Sequence, residues 1–367
     1  MQKIFIWGTG FIANQVLDQC GIYEEYDIVG FIDNDLEKCG NFFRGKKIYP
    51  PDILNKIKPD RIVVLADCYD EIRNQVASIL PYENISIENK KYFYKQSILR
   101  RYENAVDPDI KKVLRYIKQN DLQVFNYDFT EKYKNLRIDV IFDVSCRMYY
   151  VYHKGKKLYF AKSLNTEKKV KEYYKGLLIE QDEESPHRYL TPAFDVSEGD
   201  VVIDIGVAEG NFSLEIIEKV SKVYLVETSN EWVEALTQTF KDYQEKVVII
   251  QKFVTSISEG RCTTLDMLIK EPVHFIKMDI EGNEWDALLG AENLIRQSER
   301  LKCAICSYHS DFDETLIKDV LSNYGLECST TPGYMWYSAM LRKSYISLKL
   351  CRGIVQGRKG NCIIEEK

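Results

Sequence analysis

Three carboxylates stand where an open α/β sheet presents its ligands. Asp204, Glu227 and Asp279 each close an apolar run of the kind that forms a buried strand, and such sheets bind ligands at the carboxyl ends of their strands. The first run continues into Gly206-Val207-Ala208-Glu209-Gly210-Asn211-Phe212, a glycine-rich turn entering an amphipathic pattern. Glycines there let a ligand approach the backbone at a helix N-terminus. Glu227 follows Gly206 at the spacing of about 20 residues at which an acid meets a ribose hydroxyl pair. Its two oxygens accept both hydroxyl protons, and its charge repels a 2′-phosphate. Asp204 occupies the place where a pyrophosphate would pass, and a carboxylate there suits a cationic amino group instead. This choice of residues favours S-adenosylmethionine over a dinucleotide.

The elements that must position these groups alternate in a doubly wound pattern from about Asp200. Strands are expected at Val201–Ile205, Val223–Glu227, Val247–Gln251, Val273–Asp279 and Lys302–Tyr308. Helices should start near Gly210, Asn230, Asn283 and Asp313. Two late extended segments, near Leu326–Thr330 and Tyr334–Met340, are expected to form a closing antiparallel pair. Cys303 and Cys306 have metal-site spacing but fall within one strand, where positions three apart face opposite sides. No second pair completes a zinc site, and no metal is expected.

Residues 1–95 read as a smaller α/β unit. Gly8-Thr9-Gly10-Phe11-Ile12-Ala13 follows a strand, and Asp33 follows the next one, which fits the nucleotide-binding fingerprint. Gly8, Gly10 and Asp33 are therefore its candidate ligand residues. Residues 96–190 form a connector with a helix after Asp107-Pro108, a hairpin around Lys154-Gly155-Lys156 and a second helix near Thr166–Leu178. Residues 191–345 hold the doubly wound sheet, and 346–367 are a tail. The polar stretch before that sheet contains His187 and Arg188, which suit an anionic or cofactor contact from a linker or lid.

With 367 residues, 45% apolar and 29% charged, the chain has material for two cores. A net charge of −6 argues against a nucleic-acid partner, which calls for a basic excess. No run approaches the ~18–20 apolar residues of a membrane span, and no signal peptide is visible. A cytoplasmic protein with reduced cysteines is the expectation, since ten cysteines at irregular spacing make no secreted disulfide framework.

The motifs Asp204–Phe212, Thr264-Leu265-Asp266 and Ile276-Lys277-Met278-Asp279-Ile280-Glu281-Gly282-Asn283-Glu284 resemble those of the FkbM-type methyltransferases, over about Glu180 to Gly325. The first unit is similar to small Rossmann domains of polysaccharide- and nucleotide-sugar-modifying proteins. These resemblances imply a class I methyltransferase sheet, S-adenosylmethionine as cofactor, and O-methylation of a sugar, nucleotide-sugar or glycan. Gly206, Ala208 and Gly210 would then cradle the cofactor, with Asp204 near its amino group and Glu227 on its ribose. Glu209, Asn211 and Phe212 complete that set. Lys277, Asp279 and Glu281 would face the methyl-transfer region, with Tyr308 on the acceptor side. His309 is the candidate general base, because an attacking hydroxyl must lose its proton. A nucleotide-sugar at the first unit and a second copy of the chain are the partners to be weighed.

Two other functions fit parts of the pattern. A nicotinamide-dependent oxidoreductase would use Gly8 and Gly10, but the Tyr-x-x-x-Lys from Tyr152 to Lys156 spans a hairpin instead of a helix face. A non-catalytic scaffold would have little use for Asp204, Glu227 and Asp279 together.

Overall fold

The computed structural model describes residues 2–22, 25–81, 85–310, 313–337 and 348–360. They fall into two units between which the chain passes three times, one built on residues up to Asn126 and one on Tyr127–Tyr337. Residues 348–350 belong with the first, and the strand that follows belongs with the second.

In the first unit, alternating apolar residues make β1 (Lys3–Trp7), α1 (Phe11–Cys20), β2 (Asp27–Ile32), β3 (Phe42–Phe43), β4 (Lys46–Tyr49), β5 (Arg61–Val64), α2 (Tyr69–Ile79), β6 (Ser86–Asn89), α3 (Lys91–Arg101) and α4 (Pro108–Gln119). The sheet order is β3-β4-β2-β1-β5-β6, parallel except for the β3–β4 hairpin. The two-residue period sends Phe5 and Trp7 to one face, where they pack with Ile62, Val64, Ile72 and Val76. Pro108 at the first turn and the Asp107 carboxylate, which accepts the Asp109 N–H at 2.8 Å, start α4 where the sequence places it.

The second unit opens with the antiparallel sheet β7 (Ile141–Asp143), β8 (Met148–His153) and β9 (Lys156–Tyr159) and the helix α5 (Glu167–Glu180). Its main sheet follows. The elements are β10 (Val201–Ile205), α6 (Asn211–Ile216), β11 (Lys222–Val226), α7 (Asn230–Thr239), β12 (Val247–Ile250), the short pair β13 (Phe253–Val254) and β14 (Cys262–Thr263), α8 (Leu265–Leu268), β15 (Phe275–Met278), α9 (Glu284–Leu289), α10 (Glu292–Gln297), β16 (Leu301–Cys306), α11 (Asp313–Asn323), β17 (Glu327–Thr330) and β18 (Ile354–Lys359).

The seven strands lie in the order β12-β11-β10-β15-β16-β18-β17. Those from β12 to β16 are parallel, and β18 runs antiparallel to both β16 and β17. Each face carries its own core. Val202, Phe275, Ala304 and Cys306 pack on one side, and Ile203, Ile276, Cys303 and Ile305 on the other. The two cysteines therefore part to opposite faces, as their spacing in a strand requires.

The closing pair forms, but its second member differs from the sequence expectation. Ile354–Lys359, read as tail, supplies β18, while Met335 makes only an isolated bridge to Cys351. Residues 338–340 of the expected strand lie outside the described residues. Ile354 and Val355 are fully buried, and strand pairing on both edges of β18 accounts for the short apolar run so near the end of the chain.

Candidate active site

A cavity of about 510 Å³ opens over the carboxyl ends of β10, β11 and β15, reaching Lys252 beyond β12 and Tyr308 beyond β16. Four interstrand steps of about 4.8 Å make this span roughly 19 Å. The volume is that of a small-molecule site.

The floor is the turn after β10. Gly206 has φ +72°, and a Cβ on it would stand 1.7 Å from the Asp279 carbonyl oxygen. The strands β10 and β15 approach so closely there that only glycine fits. Ala208, at φ +49°, holds a conformation uncommon outside glycine. Its N–H donates to Glu227 Oε2 at 3.0 Å, and Ser229 N–H donates to Oε1 at 2.7 Å. Each Glu227 oxygen keeps a lone pair toward the cavity it lines. Glu209 and Asn211 line the wall too. Tyr173 donates to Glu209 at 2.7 Å, yet burial still pushes this carboxyl up to about 7.

Other members of the expected cofactor set do not reach the wall. Gly210 (φ +84°) is needed because a Cβ would stand 2.7 Å from Leu236 and 2.9 Å from Phe240. Phe212 packs against Tyr189 and Phe275 in the core. Asp204 is fully buried. Parallel register sets it beside Lys277 on one sheet face, with Lys277 Nζ 3.1 Å from Asp204 Oδ1 and Ser213 donating to Oδ2 at 2.7 Å. Asp204 therefore does not point into the cavity, in contrast to the expectation of an amino-group contact. Lys277 also donates to the Gly206 carbonyl at 2.7 Å, so its partner is Asp204 and not only the nearby acids of its own segment. Burial opposes its charge, but Asp204 and Asp279 outweigh that and hold its pKa above the ordinary value.

At the other end of the cavity Asp279 gathers three groups. Its Oδ2 accepts from Tyr189 at 3.1 Å and faces the Tyr308 hydroxyl at 3.5 Å. Oδ1 lies 3.5 Å from His309 Nε2. Burial raises the Asp279 carboxyl, but Lys277, His187 and His309 pull it below its usual value, so it is ionised. Burial pushes the Tyr189 and Tyr308 phenols well up, with Asp279 adding to it, which keeps both as donors.

His309 stands behind this wall, 1% exposed. Its Nδ1 lies 2.9 Å from Glu284 Oε1. Burial lowers its pKa, and the carboxylates of Glu284, Asp279 and Glu281 more than reverse that. These acids on both sides bias the imidazole toward its charged form, which works against a role as base. Glu284 in turn receives the N–H groups of Ile280 at 2.8 Å and Gly282 at 3.0 Å, fixing the bend in which Glu281 takes φ +57°. Glu281 itself is 77% exposed at the rim, facing the Tyr337 hydroxyl at 3.4 Å.

His187 is buried, with Nε2 2.9 Å from the Tyr308 hydroxyl and Nδ1 3.3 Å from Glu180. Arg188 donates to the Leu190 and Gln181 carbonyls and shapes the loop without lining the cavity. Two donor sets, His187/Asp279/Cys306 and Asp279/Glu284/His309, are close enough for a metal ion. In the first set Cys306 and His187 hydrogen-bond each other at 3.4 Å, and in the second Glu284 accepts the Ile280 and Gly282 N–H groups; no step is assigned to a metal. Among lining residues that sequence reading missed, Tyr173, Trp232 and Tyr337 come from segments with no local motif, whereas Tyr189 follows His187 and Arg188 in the segment singled out before the main sheet. Glu284 lay within a motif, but only the fold brings it to His309.

In the first unit, Gly8 (φ +115°) would place a Cβ 2.7 Å from the Leu65 carbonyl, whereas Gly10 faces open space. Asp33 accepts from Thr9 N–H at 3.2 Å, the Thr9 hydroxyl at 2.5 Å and Lys38 at 3.2 Å. Much of its hydrogen-bonding capacity is spent tying β2 to the glycine turn.

Residues 151–326 match the model of the methyltransferase FkbM domain, and residues 1–91 match that of the C2185-like N-terminal domain. No curated protein matches the sequence. Among solved structures the chain is similar to a methyltransferase FkbM from Methylobacillus flagellatus KT, with 15% identity and a TM-score of 0.42 over 97% of this chain and 90% of that one. It is also similar to magnesium protoporphyrin IX methyltransferase from Synechocystis PCC 6803 with bound SAM, with 14% identity and a TM-score of 0.30 over 44% and 75% of the two chains. Residues 151–326 thus match a methyltransferase FkbM domain, and the methyl donor is S-adenosylmethionine.

Proposed function

We propose that this methyltransferase acts on a hydroxyl oxygen, and that the hydroxyl belongs to a sugar, free, nucleotide-linked or within a glycan. The observation that carries the reading is Asp279, an ionised carboxylate with tyrosine hydroxyls on it, at the opposite end of the cavity from Glu227. The donor set suits the cofactor. Glu227 offers two acceptor oxygens for a ribose, Phe253 and Val254 give an apolar wall beside it, and Glu209 gives a carboxylate for an amine. Bound there, S-adenosylmethionine supplies a methyl group activated by its sulfonium charge.

Asp279 is then the group that receives the acceptor proton. A carboxylate is a weak base, but the hydroxyl becomes acidic as its oxygen gives up electron density to the new bond, so proton transfer late in the step is downhill. Tyr189 and Tyr308 fix the carboxylate, and Tyr308 and Tyr337 offer ring edges and faces to a sugar. Alignment of the hydroxyl supplies much of the rate.

Incubation of the full chain with S-adenosylmethionine and a panel of sugars, nucleotide-sugars and oligosaccharides tests this. A methyl ether in the product supports the reading. Methylation only of nitrogen or carbon acceptors overturns it.

A further inference from the structure

The acids of the cavity are unevenly answered. Glu180, Glu209, Glu227, Asp279 and Glu281 all line it, and among the described lining residues the lysines are Lys252 and Lys277. Lys277 is spent on Asp204 and the Gly206 carbonyl. Lys252 follows β12, across the sheet from Asp279. The buried imidazoles near Asp279 are committed as well, His187 to Tyr308 and Glu180, and His309 to Glu284 and Asp279. S-adenosylmethionine brings a single net positive charge, and among the described residues the His309 imidazole is shared between Glu284, Asp279 and Glu281, at 2.9, 3.5 and 3.8 Å, so the acids at the acceptor end outnumber it.

The hydrogen-bond donors there are committed too. The hydroxyls of Tyr189 and Tyr308 face Asp279, and that of Tyr337 faces Glu281. A phosphate or carboxylate on the acceptor would meet oxygen acceptors and displace water from two carboxylates. A hydroxyl or an ammonium group would donate to Glu281. The left-handed backbone at Glu281, held by Glu284 through Ile280 and Gly282, keeps that carboxylate at the rim, and strain retained at a ligand site is a mark of function.

Resting on the sugar reading above, we infer that the acceptor end selects an uncharged or amino-bearing sugar. It rejects one with a phosphate or carboxylate close to the reacting hydroxyl, and Glu281 is the residue that sets this preference. Like-charge juxtaposition in a binding site is worth a large factor in selectivity.

The test uses the full chain saturated with S-adenosylhomocysteine, into which glucose, glucosamine and glucose 6-phosphate are titrated by calorimetry. The inference expects glucosamine to bind about tenfold or more tightly than glucose 6-phosphate. In Glu281→Gln the ratio should shrink toward unity, and added salt should narrow it in the wild type. Equal or tighter binding of glucose 6-phosphate to the wild type overturns the inference and leaves the sugar reading standing. An unchanged ratio in Glu281→Gln removes that residue's role. Failure of all three sugars to bind the S-adenosylhomocysteine complex overturns both readings.

Discussion

Lys277 Nζ lies 3.1 Å from Asp204 Oδ1 and 2.7 Å from the Gly206 carbonyl oxygen, so two strand residues brace the cofactor turn from beneath. Both are buried, and removing one partner leaves the other charged in the interior. Asp204→Ala should cost about 3–5 kcal/mol of stability, read as a lowered urea midpoint. The double variant Asp204→Leu with Lys277→Met should recover most of it, because no charge then remains unpaired. A single variant as stable as wild type would show that the pair is not a brace.

Gly206→Ala makes a second stability test with a different cause. Its Cβ would stand 1.7 Å from the Asp279 carbonyl oxygen at φ +72°, so β10 and β15 must separate. A loss of roughly 3 kcal/mol or more is expected, together with loss of S-adenosylmethionine binding. Gly10→Ala in the first unit, where a Cβ meets nothing within 4 Å, should be nearly neutral by the same unfolding measurement.

Glu209 gives the molecule a pH dependence. Burial raises its carboxyl to about 7, above the unfolded value, so the stability it contributes is present below about pH 4.5 and is lost as pH rises through 7. About 2–3 kcal/mol is the upper range for such a shift. Thermal unfolding at pH 5 and pH 8 should show a larger fall in Tm for wild type than for Glu209→Gln. Equal falls would place the titrating group elsewhere.

Asp279→Asn should lower kcat by roughly 10²–10⁴-fold while the affinity for S-adenosylhomocysteine stays within about threefold. His309→Gln removes a cation that helps hold the Asp279 carboxyl below its usual value. The acid limb of its pH–rate profile should therefore move to higher pH, with kcat at the plateau less affected. Inactivation at every pH by His309→Gln would return the base to His309.

Much of this architecture is legible in the sequence because the decisive signals are local. The apolar run before Gly206, the Lys-x-Asp-x-Glu-Gly motif and Pro108 after Asp107 each fix an element within a few residues. What escaped depends on register. Asp204 reads as ligand-facing until Val202↔Phe275 pairing sets it opposite Lys277, and a one-residue change of register would have turned it away. His309 reads as a base until Glu284, on another element, is found 2.9 Å away. Ile354–Lys359 reads as tail because nothing nearby in sequence announces that β16 and β17 leave a slot between them. Tyr173 and Trp232 reach the cavity from helices whose patterns announce only packing.

Calorimetric titration of S-adenosylmethionine and of NAD(H) into wild type and Glu227→Ala bears most directly on the central claim that the cavity over β10 and β11 is the cofactor site. The account predicts S-adenosylmethionine binding weakened about ten- to a hundredfold in the variant, the worth of charge-assisted hydrogen bonds to a ribose, with no comparable binding of NAD(H). Tight binding of NAD(H), or S-adenosylmethionine binding indifferent to Glu227, would contradict it.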